Sequence, residues 1–250
     1  MARPTRASFR ILVNGAWDNQ ALFLCPASGY DPDGMPTTEK EYRVTAARSF
    51  TLRYLLYLPE GYSTLYKSWP LVLYLHGSGE RGSDLKTLER QGLPKLAAER
   101  SLPFVLVAPQ LPEGEVWNEE PLTYLLDELE TTMWIDSRRI YLTGISMGAF
   151  GAWDLAIATP DRFAAMLVIS GGGNPVEVGQ LKDVPVWIVH GRQDDVIPVS
   201  WSETLGRRLE RCGGNVKVTI HPDAGHDAWS RTYADPAVLE WLLAQRRAEK

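Results

Sequence analysis

A chain of 250 residues, 44% hydrophobic and 23% charged, is long enough to bury a full core, which excludes disordered, collagen-like and disulfide-scaffold classes. Its formal net charge of −5 and the lack of any Lys/Arg block disfavour sequence-independent nucleic-acid binding. The two cysteines, Cys25 and Cys212, stand far apart and outside any CxxC or Cys/His cluster, so neither a metal site nor a disulfide framework is expected.

The first apolar stretch, Ile11–Val13, is far shorter than the roughly 7–15 residues of a secretory core. No run reaches the ~18 apolar residues of a membrane span. A cytoplasmic protein is the expectation. Phe9–Val13 and Ala21–Leu24 are short apolar runs separated by Asn14-Gly15, a hairpin signal, and Cys25–Pro36 reads as loop. Residues 1–45 are therefore expected to form a strand extension too small for its own core, available for self-association into a homo-oligomer. Residues 46–250 read as the main domain.

Strands and helices then alternate. Strands are expected at Ser49–Leu58, Leu71–His76, Phe104–Ala108, Arg139–Thr143, Ala164–Ile169, Val184–His190 and Val216–Ile220. Helices are expected at Asp84–Arg100 with a break at Pro94, and at Pro121–Ile135, Met147–Ala158, Val199–Arg211 and Asp235–Arg247. Such alternation predicts an α/β fold with a mostly parallel central sheet and helices on both faces. Ligands then bind beyond the carboxyl ends of the strands.

At one such end, Arg139–Thr143 runs into Gly144-Ile145-Ser146-Met147-Gly148 and straight into a helical stretch. This is G-x-S-x-G in a strand–turn–helix setting, where a sharp turn lifts the serine hydroxyl above the sheet and a Cβ on either side would clash. A small-residue helix start is the plainer reading, and the flanking strand and helix argue against it. Ser146 is the expected nucleophile.

Through these residues the chain resembles the α/β-hydrolase superfamily from Tyr42 to Arg247. It looks most like the compact, capless carboxylesterases related to feruloyl esterases, phospholipase/carboxylesterases and a group of predicted peptidases. The resemblance implies a triad in the order serine, acid, histidine. The family pattern HG-x-x-D-x-x-[VI]-P fits His190-Gly191 through Pro198 with Asp194 as the acid, Asp195 being the alternative. Either carboxylate could instead serve only the loop or the next helix. Of the four histidines, His76 and His190 end strands and shape loops, while His226 in DAGHDAW follows the last strand, with His221 as fallback. His226 is the expected base.

Leu75-His76-Gly77-Ser78-Gly79-Glu80-Arg81-Gly82 follows a buried strand. By resemblance, the oxyanion donors are the backbone N–H groups of Ser78 and Met147. A phosphate cradle is discounted because no G-K-[ST] follows. Glu80 and Arg81 are adjacent opposite charges that could pair and stiffen the loop. Among nine tryptophans, Trp117 and Trp229 stand where pocket walls are expected, although core packing is the commoner fate of such residues. Fourteen residues, SGGGNPVEVGQLKD, separate Ile169 from Val184, too few for a helical lid.

The reading is a serine carboxylesterase acting on a short-chain or aryl ester without metal or organic cofactor. A small serine peptidase is the nearest alternative, and a non-catalytic ligand-binding relative the next. A haloalkane dehalogenase would need Asp at position 146, and a dienelactone-type enzyme Cys.

Overall fold

The computed structural model describes residues 50–62 and 67–248. The expected N-terminal strand extension, with self-association through it, lies outside those residues. Within them runs a seven-stranded sheet: β1 (Arg53–Tyr57), β2 (Trp69–Leu75), β3 (Val105–Gln110), β4 (Ile135–Ile145), β5 (Ala165–Ile169), β6 (Val186–Gly191) and β7 (Val216–His221). The order is β1-β3-β2-β4-β5-β6-β7. Only β1 is antiparallel, paired to β3; each remaining neighbour pair is parallel. All carboxyl ends from β2 to β7 therefore open on one edge of the sheet, and β4 sits at its centre.

Six helices cover the sheet: α1 (Gly92–Glu99), α2 (Glu119–Thr132), α3 (Met147–Ala158), α4 (Ser200–Arg211), α5 (Trp229–Ala234) and α6 (Pro236–Ala244). Period-two alternation divides the strand side chains between two cores. Leu71, Leu73, Leu75, Val107, Leu142, Val168 and Ile188 face α2, α3 and α4, with Leu126, Trp153 and Leu205 filling the space. Val72, Tyr74, Leu106, Tyr141, Leu167 and Val189 face the opposite way onto Leu93 of α1, Tyr233 of α5 and Leu242 of α6. Burial on both faces explains why β2, WPLVLYL, is apolar at nearly every position.

Two elements depart from the sequence expectation. The stretch 84–100 is a 3-10 turn, Leu85–Arg90, followed by α1, and the break falls at Gln91-Gly92 rather than Pro94. Gly92 has φ +67°, the left-handed region. Pro94 is the third residue of α1, where a backbone N–H would lack an intrahelical acceptor anyway, so its ring costs nothing there. The second departure is α5, six residues long, where no helix is expected from the sequence. Between β5 and β6 the chain forms only a short 3-10 turn, Val178–Leu181, so no lid arises from that connection.

Helix α3 packs directly on β2 because Gly148 has no side chain. A Cβ there would stand 2.0 Å from the Leu75 carbonyl oxygen and 2.6 Å from that of His76. Both neighbours are backbone and cannot swing away. Gly148→Ala should therefore cost at least about 2 kcal/mol of stability, read as a fall in the urea midpoint at unchanged slope. An unchanged midpoint would show that the helix can lift from the strand without penalty.

Candidate active site

Ser146 stands between β4 and α3 with φ 51° and ψ −121°. Left-handed backbone is rare for a residue bearing a side chain, and such a position costs of order 1–3 kcal/mol. The surroundings hold it there. The Ser146 N–H donates to the Ile169 carbonyl at 3.0 Å, and its carbonyl accepts from the Ala149 N–H at 2.9 Å. A Cβ on Gly144 would lie 2.2 Å from the Gly148 carbonyl oxygen, so both glycines of the motif answer to close backbone approach rather than to a positive φ.

His226 arrives from the loop after β7. Its Nε2 lies 3.0 Å from Ser146 Oγ and its Nδ1 lies 2.8 Å from Asp194 Oδ2. Because Asp194 can only accept when ionised, Nδ1 carries the hydrogen and Nε2 faces the hydroxyl as acceptor. The Asp194 side chain is fully buried, while that of His226 is one-fifth exposed. Burial pushes the Asp194 carboxyl up, but hydrogen bonds from His226, Ile197 and Val196 prevail and hold it below its ordinary value. Oδ1 accepts the Val196 and Ile197 N–H groups at 2.9 and 2.8 Å.

A second histidine stands against Asp194, with its Nε2–H on the Ile197 carbonyl. His190 Nε2 lies 3.0 Å from Asp194 Oδ2 and 2.9 Å from the Ile197 carbonyl. Both neighbours are acceptors, so Nε2 carries a hydrogen; Nδ1 meets Ser202 Oγ at 2.7 Å. Asp195 is exposed, and His221 ends β7 without reaching Ser146 among the described contacts. The loops bearing Asp194 and His226 are laced together by Arg192 N–H to His221 O at 2.8 Å and Gln193 N–H to Ala224 O at 2.9 Å. Outside, Arg231 grips Asp223 with two bonds of 2.8 and 3.0 Å.

The glycine-rich loop lies against the serine: a Cβ on Gly77 would stand 3.4 Å from Ser146 Cβ. Ser78 opens a 3-10 turn, Ser78–Glu80, and Met147 is the first residue of α3, whose opening N–H groups have no intrahelical acceptor and carry the positive end of the helix dipole. His76 braces this loop from within. Its Nδ1–H donates to Gly77 O at 2.5 Å and its Nε2 accepts the Leu111 N–H at 3.0 Å. Glu80 and Arg81 do not pair with each other. Arg81 turns outward to the carbonyls of Ser78 and Glu115, whereas Glu80 turns inward.

Both tryptophans expected as pocket walls are buried, each with its indole N–H bonded within the protein. Trp117 is buried against His76 and Gly151, and its indole N–H donates to the His76 carbonyl at 3.0 Å. Trp229 is buried, with its ring perpendicular to His226 at 5.1 Å and its N–H on Gln91. An indole N–H taken out of water needs a partner, and those partners fix the rings in the core. Phe150 on α3 and Trp201 on α4 form an edge-to-face ring pair at 5.8 Å beside Gly172, whose neighbour Gly171 lies against the Ser146 carbonyl. Trp201 is 42% exposed and Val196, in the Asp194 loop, 62%. Among the described residues no group of three or more His, Cys, Asp or Glu side chains is placed to hold a metal ion, and no helix is long and apolar enough to cross a membrane.

The family described as Phospholipase/Carboxylesterase matches residues 118–237. A solved thermostable esterase is 32% identical with a TM-score of 0.71, over 78% of this chain and 59% of that one. The chain has the α/β-hydrolase fold and is similar to the carboxylesterases. A protein described as probable feruloyl esterase C of Aspergillus terreus is 28% identical over 72% of this hydrolase and 68% of its own length. Feruloyl esterase D of Neurospora crassa is 27% identical over 65% of this hydrolase and 60% of its own length. Solved esterase PE8, at 24% identity and TM-score 0.56, shares the fold.

Burial lowers the pKa of His76 from its ordinary 6.5 to about 4. Between those values the unfolded chain takes up a proton that the folded chain refuses, so stability is complete above pH 6.5 and falls as pH drops toward 4. The loss from this residue should reach about 2 kcal/mol at pH 4.5. Urea midpoints at pH 7 and pH 4.5 read it directly. His76→Gln should shrink the difference between the two midpoints, and an unaltered difference would contradict the assignment.

Proposed function

We propose that this hydrolase cleaves short-chain or aryl carboxylic esters through an acyl-enzyme on Ser146. The observation that carries the reading is the continuous line from Ser146 Oγ to His226 to the buried Asp194, at 3.0 and 2.8 Å. In this mechanism Ser146 Oγ attacks the ester carbonyl as His226 Nε2 takes its proton. Asp194 keeps the imidazole in the productive tautomer and stabilises its charged form. Negative charge developing on the carbonyl oxygen falls to the N–H groups of Ser78 and Met147. His226 then protonates the departing alcohol, and water, deprotonated by the same nitrogen, releases the acid.

The feruloyl esterase relatives support an aryl acyl group, which the exposed part of Trp201 could meet. Without a lid from the β5–β6 connection, long alkyl chains gain little burial, at about 0.8 kcal/mol per methylene when fully covered. Specificity constants for p-nitrophenyl esters should therefore peak at C2–C4 and fall by C8, with an aryl ester cleaved well and a peptide anilide poorly. A maximum at C10 or beyond, or a rate jump above the micelle threshold, would contradict the open site.

The acid is tested separately. Asp194→Asn should cost about 10⁴ in kcat, as expected when the imidazole is held in the wrong tautomer, while Asp195→Asn should change it little. Kinetics of the two purified variants settle the matter, and a reversed pattern of losses would reassign the acid.

A further inference from the structure

Glu80 has no place in the mechanism above, yet its side chain is almost wholly buried beneath the oxyanion loop. Burying a carboxyl group is costly, and burial raises its pKa above the ordinary range against the opposing pull of Gln91 and of the Arg90 charge. Its Oε1 accepts a hydrogen bond from Gln91 Nε2. Gln91 Oε1 in turn accepts the Trp229 indole N–H at 3.0 Å, and the Trp229 ring stands perpendicular to His226 with centroids 5.1 Å apart. The other carboxyl oxygen, Oε2, has no hydrogen-bond partner and lies 3.3 Å from where a Gly77 Cβ would be.

We infer that Glu80, Gln91 and Trp229 are positioning residues, a relay that fixes the His226 imidazole relative to the oxyanion loop. This rests on the proposed roles of His226 and Ser78. The polarity of the chain admits one arrangement. An indole can only donate, so Gln91 must present its oxygen to Trp229 and its amide nitrogen to Glu80. Turning the amide over would set donor against donor and acceptor against acceptor. The relay therefore locks the Gln91 rotamer, the Trp229 ring and the inward turn of Glu80 together.

Its anchorage at the Glu80 end is firm. The Glu80 carbonyl accepts from Gln110 Nε2 at 2.9 Å, and that same nitrogen reaches Asp84 O and Thr87 Oγ1 at 2.9 and 2.8 Å. At the other end the ring of Trp229 limits how far the imidazole can tilt. Reacting groups need alignment to within about 1 Å, so a loosened imidazole should slow the chemical step and leave substrate binding nearly intact.

The test is a double-mutant cycle on p-nitrophenyl acetate, with activity expressed per folded molecule from thermal melts. Gln91→Met and Trp229→Phe each remove one link while keeping bulk. Each should lower kcat about tenfold with KM within about twofold, and the double variant should fall no further than the worse single one. Glu80→Met should behave like Gln91→Met, and Glu80→Gln, which retains an oxygen acceptor, should recover most of the lost rate. Unchanged kcat in the single variants, or losses that multiply in the double, would overturn the relay. A wild-type protein that cleaves no ester would overturn the reading of the site itself, and the relay with it.

Discussion

The site is organised around a close approach of backbone to backbone: α3 can lie on β2 only because position 148 lacks a Cβ. That contact presses the helix start down onto the carboxyl end of the central strand. The intervening residue, Ser146, is driven into left-handed backbone, and its amide is taken by Ile169 of the neighbouring strand. Strain of order 1–3 kcal/mol persists at one residue because the cores on both sides of the sheet over-determine its position. The hydroxyl thus leaves the sheet edge where the loops after β2, β6 and β7 converge. Parallel strands make that convergence a matter of topology rather than of any single contact.

Charge is managed around this point by filling valences. Asp194 is buried, yet both of its oxygens are engaged by donors: Oδ1 by two backbone N–H groups and Oδ2 by His226. A carboxylate so supplied remains an anion without an adjacent lysine or arginine. His76 is treated in the opposite way, kept neutral by burial and committed at both nitrogens to backbone. His226, partly exposed, keeps Nε2 for the serine.

What could be read from sequence follows the range of the forces involved. The strand–turn–helix serine motif is local, so spacing and glycines expose it. Asp194 is legible through the family pattern HG-x-x-D-x-x-[VI]-P, and its bonds to Val196 and Ile197 lie within the same short span. The two tryptophans were not, because each indole N–H is satisfied by a residue far away in the chain, His76 for Trp117 and Gln91 for Trp229. Adjacent opposite charges suggested a Glu80–Arg81 pair, but Glu80 closes a 3-10 turn and Arg81 leaves it in extended backbone, so one turned inward while the other turned out. Helix α5 escaped notice since six residues give no periodic signal, and the break near residue 92 was misplaced because a proline in the first turn of a helix is harmless. The Phe150–Trp201 pair depends wholly on tertiary placement.

The claim on which the account turns is that Ser146 is activated by its neighbours. Stoichiometric labelling with a fluorophosphonate, followed by peptide mass spectrometry, tests it most directly. The account predicts one adduct per chain, on Ser146, and neither labelling nor ester turnover in a folded Ser146→Ala variant. An adduct on a different serine, or wild-type turnover in that variant, would contradict it.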